Sequence, residues 1–145
     1  MNPIYLLDTN VISEMTRPVP NPDVIQKILE NEKLSAISAV GWGECLYGLK
    51  RLPEGKRKES IYDFYMNTIN PTFKKLPFDE SAATIYSDIK SRLEEKGRIA
   101  SELDMQIAAT AISNNTILVT RNVRDFKHIC EVSALMLENW FLHKM

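Results

Sequence analysis

Three acidic residues stand out by where they fall. Asp8 ends the apolar run Ile4-Tyr5-Leu6-Leu7 and is followed by Thr9, Asn10 and a short helical pattern. Four consecutive apolar residues rich in strand formers predict a strand buried on both faces. In open parallel sheets, ligands bind outside the carboxyl ends of such strands. Asp is also a favoured helix N-cap, so the position by itself admits a capping role as well as a chemical one. Asp104 falls on a helical face with Leu103, Ile107, Ala108 and Ala111, because residues three and four apart are neighbours there. A carboxylate in an apolar stripe is costly unless paired, hydrogen-bonded or metal-bound. The capping box Ser101-x-x-Asp104 explains its place along the helix but not its face. Glu44 lies off the Trp42/Leu46/Leu49 stripe, with Gly48 and Arg51. A solvated helix surface would account for it equally well. Its interest is that its helix begins just after a strand over Leu34 to Ser38, and that Gly48 one turn later leaves room for a backbone to approach.

A fourth set follows a second apolar run, Ile117-Leu118-Val119, where Thr120, Arg121, Asn122, Arg124, Asp125 and Lys127 crowd one loop. Acids from separate elements converging on one sheet edge suit Mg²⁺ or Mn²⁺, which take hard oxygen ligands and leave sites for water and phosphate. Such ions activate water for in-line attack at phosphorus. The sequence carries no P-loop, no dinucleotide-binding glycine motif, no Gly-x-Ser-x-Gly elbow and no zinc-ligand spacing. His128 and His143 come late in the chain and look incidental.

The elements needed to position these groups are legible in outline. Strands are expected over residues 4–7, 34–38, 73–78 and 117–120, with an edge strand at 132–137. Helices are expected over 11–15, 22–29, 42–52, 54–68, 82–93 and 101–114. Pro18, Pro20 and Pro22 interrupt the chain after the first helix, and Gly97 stops the helix before Ser101. Strands alternating with helices predict an α/β fold of three layers around a mainly parallel sheet of four or five strands. The 145 residues suit one domain spanning 1–145.

Net charge is −1, so no overall field draws the chain to nucleic acid; a polyanion must be held by local basic groups or by metal. No apolar stretch approaches membrane-spanning length, and no basic, apolar leader precedes Asp8. Cys45 and Cys130 form no metal-type spacing. A cytoplasmic location, no membrane partner and reduced thiols are the expectation.

The four sets, taken together and in order, resemble the PIN-domain nucleases and among them the VapC/FitB-type toxins of toxin–antitoxin pairs. Leu6-Leu7-Asp8-Thr9-Asn10-Val11-Ile12-Ser13-Glu14 is similar to the family's first motif, and Ala36-Ile37-Ser38 through Gly43-Glu44 to Gly48 to the second. Asp104 with Ile107-Ala108-Ala109-Thr110-Ala111 resembles the third, and Val119-Thr120-Arg121-Asn122 the fourth. Leu76-Pro77-Phe78-Asp79 and the helix carrying Ala82, Ala83, Ile85 and Tyr86 look like the connecting segment. The resemblance implies a PIN-type fold and a Mg²⁺- or Mn²⁺-dependent endoribonuclease, inhibited by a small cognate antitoxin and assembled as a homodimer. Asp8, Glu44 and Asp104 would be its metal-binding catalytic acids. Asn10 or Ser13 would orient Asp8, and Thr120 would position a water or phosphate. The family often carries an acid where Asn122 stands, and other members carry one three residues later, as Asp125 does here. On this reading Asn122 faces the acids and Asp125 supports. Arg121, Arg124 and Lys127 are the favoured contacts for RNA phosphates; Lys50-Arg51 and Lys56-Arg57-Lys58 are explained nearly as well as solvated helix faces. A PIN fold that binds RNA or protein without cutting, and a small-molecule phosphatase, are the other classes. Retained acids argue against the first, and the lack of a second carboxylate in Thr9-Asn10 against the other.

Overall fold

The computed structural model describes residues 2–141; His143 lies outside them. Five strands form one parallel sheet in the order β3-β2-β1-β4-β5. They are β1 (Tyr5–Leu7), β2 (Ser35–Ser38), β3 (Lys74–Leu76), β4 (Ile117–Val119) and β5 (Leu137–Glu138). The helices between them are α1 (Thr9–Glu14), α2 (Pro22–Glu30), α3 (Ala39–Lys50), α4 (Lys56–Phe64), a short α5 (Asn70–Thr72), α6 (Glu80–Glu95), α7 (Glu102–Ser113) and α8 (Val123–Val132). Between α4 and α5 the chain winds as a π-helix over Tyr65–Ile69.

The register explains the three layers. Leu6 lies beside Ala36 and Leu118, and Leu7 beside Ile37 and Val119. Alternation along a strand sends these two rows to opposite faces. Leu6, Ala36 and Leu118 pack with Ile89 of α6, Ala108 of α7 and Phe126 of α8. Leu7, Ile37 and Val119 pack with Val11 of α1, Val24 of α2, Cys45 of α3 and Ile61 of α4. Both rows are covered, as the unbroken apolar runs required.

β1 is central, and the chain fills one side of it (β2, β3) before crossing to the other (β4, β5). Strand order thus reverses at β1, and the crevice at the carboxyl ends of β1 and β4 is the place where such sheets bind ligands. α1 and α3 leave this edge close together. Gly41 permits this: a Cβ there would lie 2.8 Å from Ser38 Oγ and 3.5 Å from the Thr9 methyl. Ser38 Oγ meanwhile caps α3 by accepting from the Gly41 N–H at 2.8 Å.

Two expected elements are redrawn. Residues 123–132 form α8, and the last strand is only Leu137–Glu138, not 132–137. Val132, expected to begin that strand, closes the apolar face of α8 with Phe126 and Ile129, at the three-residue spacing of a helix. The helix expected over 54–68 starts at Lys56 and changes pitch at Tyr65.

Candidate active site

Asp8 stands one residue beyond the end of β1, and its backbone N–H still donates to the Val119 carbonyl at 2.9 Å. It remains extended at φ −71°, ψ 162°, so the alternation carries its side chain to Leu6's face, the side of α7 and α8. The carboxylate is almost fully enclosed, at 6 % exposure. One oxygen accepts the Thr9 N–H at 2.8 Å, which is the N-cap of α1. The other accepts from Thr120 Oγ1 at 2.8 Å and from Asn10 Nδ2 at 3.3 Å. Capping and site geometry are therefore one arrangement.

Asn10 and Thr120 fasten β1's end to the loop after β4. Asn10 Oδ1 accepts the Arg121 N–H at 3.1 Å, and Thr120 Oγ1 accepts the Asn122 N–H at 3.0 Å. Thr120 is wholly buried. It orients the Asp8 carboxylate directly, in addition to any role toward a substrate. Ser13, the other candidate for that task, instead donates to the Asn10 carbonyl at 3.3 Å.

Burial pushes the Asp8 carboxyl above its ordinary range. The hydrogen bonds from Thr120, Thr9 and Asn10 oppose this, and the charge of Asp125 adds to it. Asp104, half-buried in the first turn of α7, is also pushed up by burial. Ser101 opposes the shift, and the charges of Asp8 and Asp125 reinforce it. Asp8, Asp104 and Asp125 thus come from three elements to share one electrostatic neighbourhood. Asp125 lies in the first turn of α8, and Asn122 is that helix's N-cap without a side-chain capping bond. These two residues share a face only because a helix begins between them. The sequence places Asp125 toward the acids only if the loop continues as a helical turn, and α8 supplies that turn.

Glu44 reaches the site from the opposite layer. It is exposed on α3 and lines a cavity of about 420 Å³ together with Asn10, Ser13 and Leu103. The Cys45 thiol, pushed up to about 12 chiefly by burial, also feels the charges of Asp8 and Glu44. Glu44 thus shares a cavity with Thr9, Asn10 and Leu103, the chain neighbours of Asp8 and Asp104. Of the basic residues expected to meet RNA, Arg121 sits over the Phe141 ring, 5.1 Å from its centre, and acts on Glu14. Arg124 and Lys127 are exposed on α8. Glu14, the last residue of the first motif, has no role assigned from the sequence. It is buried and accepts the Asn21 N–H at 2.7 Å and Arg17 Nη1 at 3.2 Å, tying down the proline-rich loop.

The donor set fits a hard cation. The enclosed Asp8 and the half-buried Asp104 are both pushed up chiefly by burial, with the charge of Asp125 adding to each and that of Asp8 adding to Asp104, and a divalent ion would relieve this. Among the described residues no three acidic, cysteine or histidine side chains stand close enough to form a ready-made cage. Mg²⁺ needs none, since it binds through one or two carboxylates and retains waters.

A parallel sheet with oriented acids gathered at its central carboxyl edge defines a carboxylate-site α/β protein. The PIN domain family model matches residues 5–132, and the chain belongs to that family. It is 39 % identical over 129 residues to the toxin FitB of Neisseria gonorrhoeae, covering 85 % of this chain and 91 % of that protein. It is 30 % identical over 139 residues to the ribonuclease VapC2 of Rickettsia felis, covering 94 % and 98 %. Among solved structures, FitAB of the FitB system bound to a DNA fragment superposes with a TM-score of 0.87 at 32 % identity, covering 98 % of this chain and 99 % of that one. Among the described residues no helix is long and apolar enough to cross a membrane.

Proposed function

We propose that this chain is the endoribonuclease toxin of a toxin–antitoxin pair, hydrolysing RNA with Mg²⁺ or Mn²⁺. The observation that carries the reading is the oriented, enclosed Asp8 carboxylate set against Asp104 and Asp125 at the β1/β4 crevice. The relatives' names, toxin FitB and ribonuclease VapC2, support both halves of it. A small cognate antitoxin is its protein partner, as the toxin–antitoxin reading requires.

Asp8, Asp104 and Glu44 would hold the cation. Bound there, it would neutralise charge at phosphorus and acidify a water for attack. The chain's own residues do the rest. Thr9, Asn10 and Thr120 fix the Asp8 carboxylate, so no reorientation is needed as charge develops. Ser101 caps α7 by accepting the Asp104 N–H at 3.0 Å and favours the charged form of the Asp104 carboxylate. Asp125 is the fourth acid, and Asn122 anchors the loop through its N–H to Thr120.

Two measurements test this. Purified protein should cut a single-stranded oligoribonucleotide in Mg²⁺ and not in EDTA, leaving one phosphate end and one hydroxyl end. A 2′,3′-cyclic phosphate product would reject attack by water. Within that assay Asp125→Asn should lower kcat by about 10²-fold, while Asn122→Ala should cost less than about fivefold. A silent Asp125→Asn beside a crippled Asn122→Ala would return the fourth position to Asn122, as the sequence favoured.

A further inference from the structure

The cavity holding Glu44 extends well past the acids. One wall is α1 with the turn after it, carrying Asn10 and Ser13 on the helix and Thr16 just past its end; the other is α3, with Glu44 and then Gly48 one turn, about 6 Å, beyond. A Cβ at Gly48 would meet nothing within 4 Å, so the wall is open there. Beyond Gly48 the cavity reaches Leu52 and Arg57, the latter on the first turn of α4. Its two charged lining residues are Glu44 and Arg57, because the Cys45 thiol is pushed up to about 12 and the Tyr65 hydroxyl is also pushed up, both by burial. A negative site at one end and a lone guanidinium at the other suit a strand whose phosphates repeat along its length.

Arg57 also differs from the other cations nearby. Lys58 is held by Glu54 at 2.6 Å and by the Lys50 carbonyl at 3.3 Å. Arg51 lies over Tyr47, and Arg121 over Phe141. Among the described residues Arg57 is in no ion pair, and its planar fork matches a phosphate's oxygens. The hydroxyls of Ser13 and Thr16 donate to α1 carbonyls, Asn10 at 3.3 Å and Ser13 at 2.8 Å, which leaves their lone pairs for donors such as ribose hydroxyls.

Building on the ribonuclease reading, we infer that this groove seats the single-stranded RNA flanking the cleaved bond, with Arg57 taking a backbone phosphate and the strand passing over Gly48. In the sequence Arg57 is a phosphate candidate only as part of Lys56-Arg57-Lys58, where a solvated helix face serves nearly as well; the groove separates it from Lys56 and Lys58.

The test is fluorescence-anisotropy titration of a labelled single-stranded oligoribonucleotide in EDTA at several salt concentrations, alongside cleavage in Mg²⁺. Arg57→Gln should weaken binding about tenfold and reduce the slope of log affinity against log salt by about 0.7, the value for one phosphate contact on a single strand. Arg57→Lys should restore the slope. Gly48→Leu should weaken binding without lowering the melting temperature, since the space it fills is open. Wild-type affinity and slope in Arg57→Gln would overturn the inference, as would a wild type that binds no RNA in EDTA. So would an Arg57→Gln effect confined to inhibition by a partner protein. A wild type whose RNA binding depends on Arg57 but which cuts nothing would leave the groove assignment standing and sink the nuclease reading instead.

Discussion

Asp8→Asn is expected to abolish RNA cleavage, by on the order of 10³-fold, in a protein that remains folded. The substitution keeps the size of the side chain. Its amide oxygen can still accept the Thr9 N–H, so α1 keeps its cap, while the Thr120 hydroxyl and the Asn10 amide lose the acceptor that Oδ2 gave them. What disappears is the charge that would hold a divalent ion. Asp8→Ala is the harsher variant, because it strips the cap and leaves Thr9, Asn10 and Thr120 without their shared acceptor, at a cost of about 1–3 kcal/mol. Expressed without its antitoxin, the wild-type chain should arrest growth, and Asp8→Asn should relieve the arrest at equal soluble yield. Full toxicity in Asp8→Asn would exclude the hydrolytic mechanism. Loss of toxicity accompanied by loss of soluble protein would be settled by the purified variant, whose melting transition separates a dead site from a broken fold.

Much of this site could be read before any coordinates. Asp8 and Thr120 each follow an apolar run long enough to be a buried strand, and a parallel sheet places both run ends on one edge. Asp104 was marked by its face, since an acid among Leu103, Ile107 and Ala108 needs a reason to be there. What escaped was whatever depended on a local boundary. Residues 121–127 have the composition of a polar loop, and the first turn of α8 carries Arg124 and Asp125, which gives no apolar period until Phe126. Without that turn the choice between Asn122 and Asp125 stays open in the sequence, and Asp125's charge on both other acids comes only from the fold. Arg57 was ambiguous for a similar reason. Three consecutive cations on a helix start point in three directions, and only the packing of α4 against α3 decides which of them meets the groove.

Asp104 makes the electrostatic side of the site measurable without any substrate. In the metal-free protein its carboxyl and that of Asp8 sit above the ordinary value of 3.8, with burial the leading cause. As pH rises, the unfolded chain releases these protons first, so the folded state holds more of them through the window between 3.8 and the raised folded values. Stability must fall across that window, and the loss is complete once pH passes the raised folded values. Asp104→Asn removes one of these groups while keeping an oxygen for Ser101. In EDTA at pH 7 it should therefore melt above wild type, and the gap should close as pH falls toward 4. Mg²⁺ reverses the order. A ligand that binds only the native state contributes about 2.7 kcal/mol at one hundred times its dissociation constant, which for a domain of this size is on the order of 8 °C. Wild type should show that rise, and Asp104→Asn should lose most of it. Scanning calorimetry at pH 4 and pH 7, with and without Mg²⁺, reads all four conditions. An equal Mg²⁺ shift in the two proteins would remove Asp104 from the ligand set. A wild type that gains stability between pH 4 and pH 7 in EDTA, relative to Asp104→Asn, would show that the Asp104 carboxyl is not held above its ordinary value in the absence of metal.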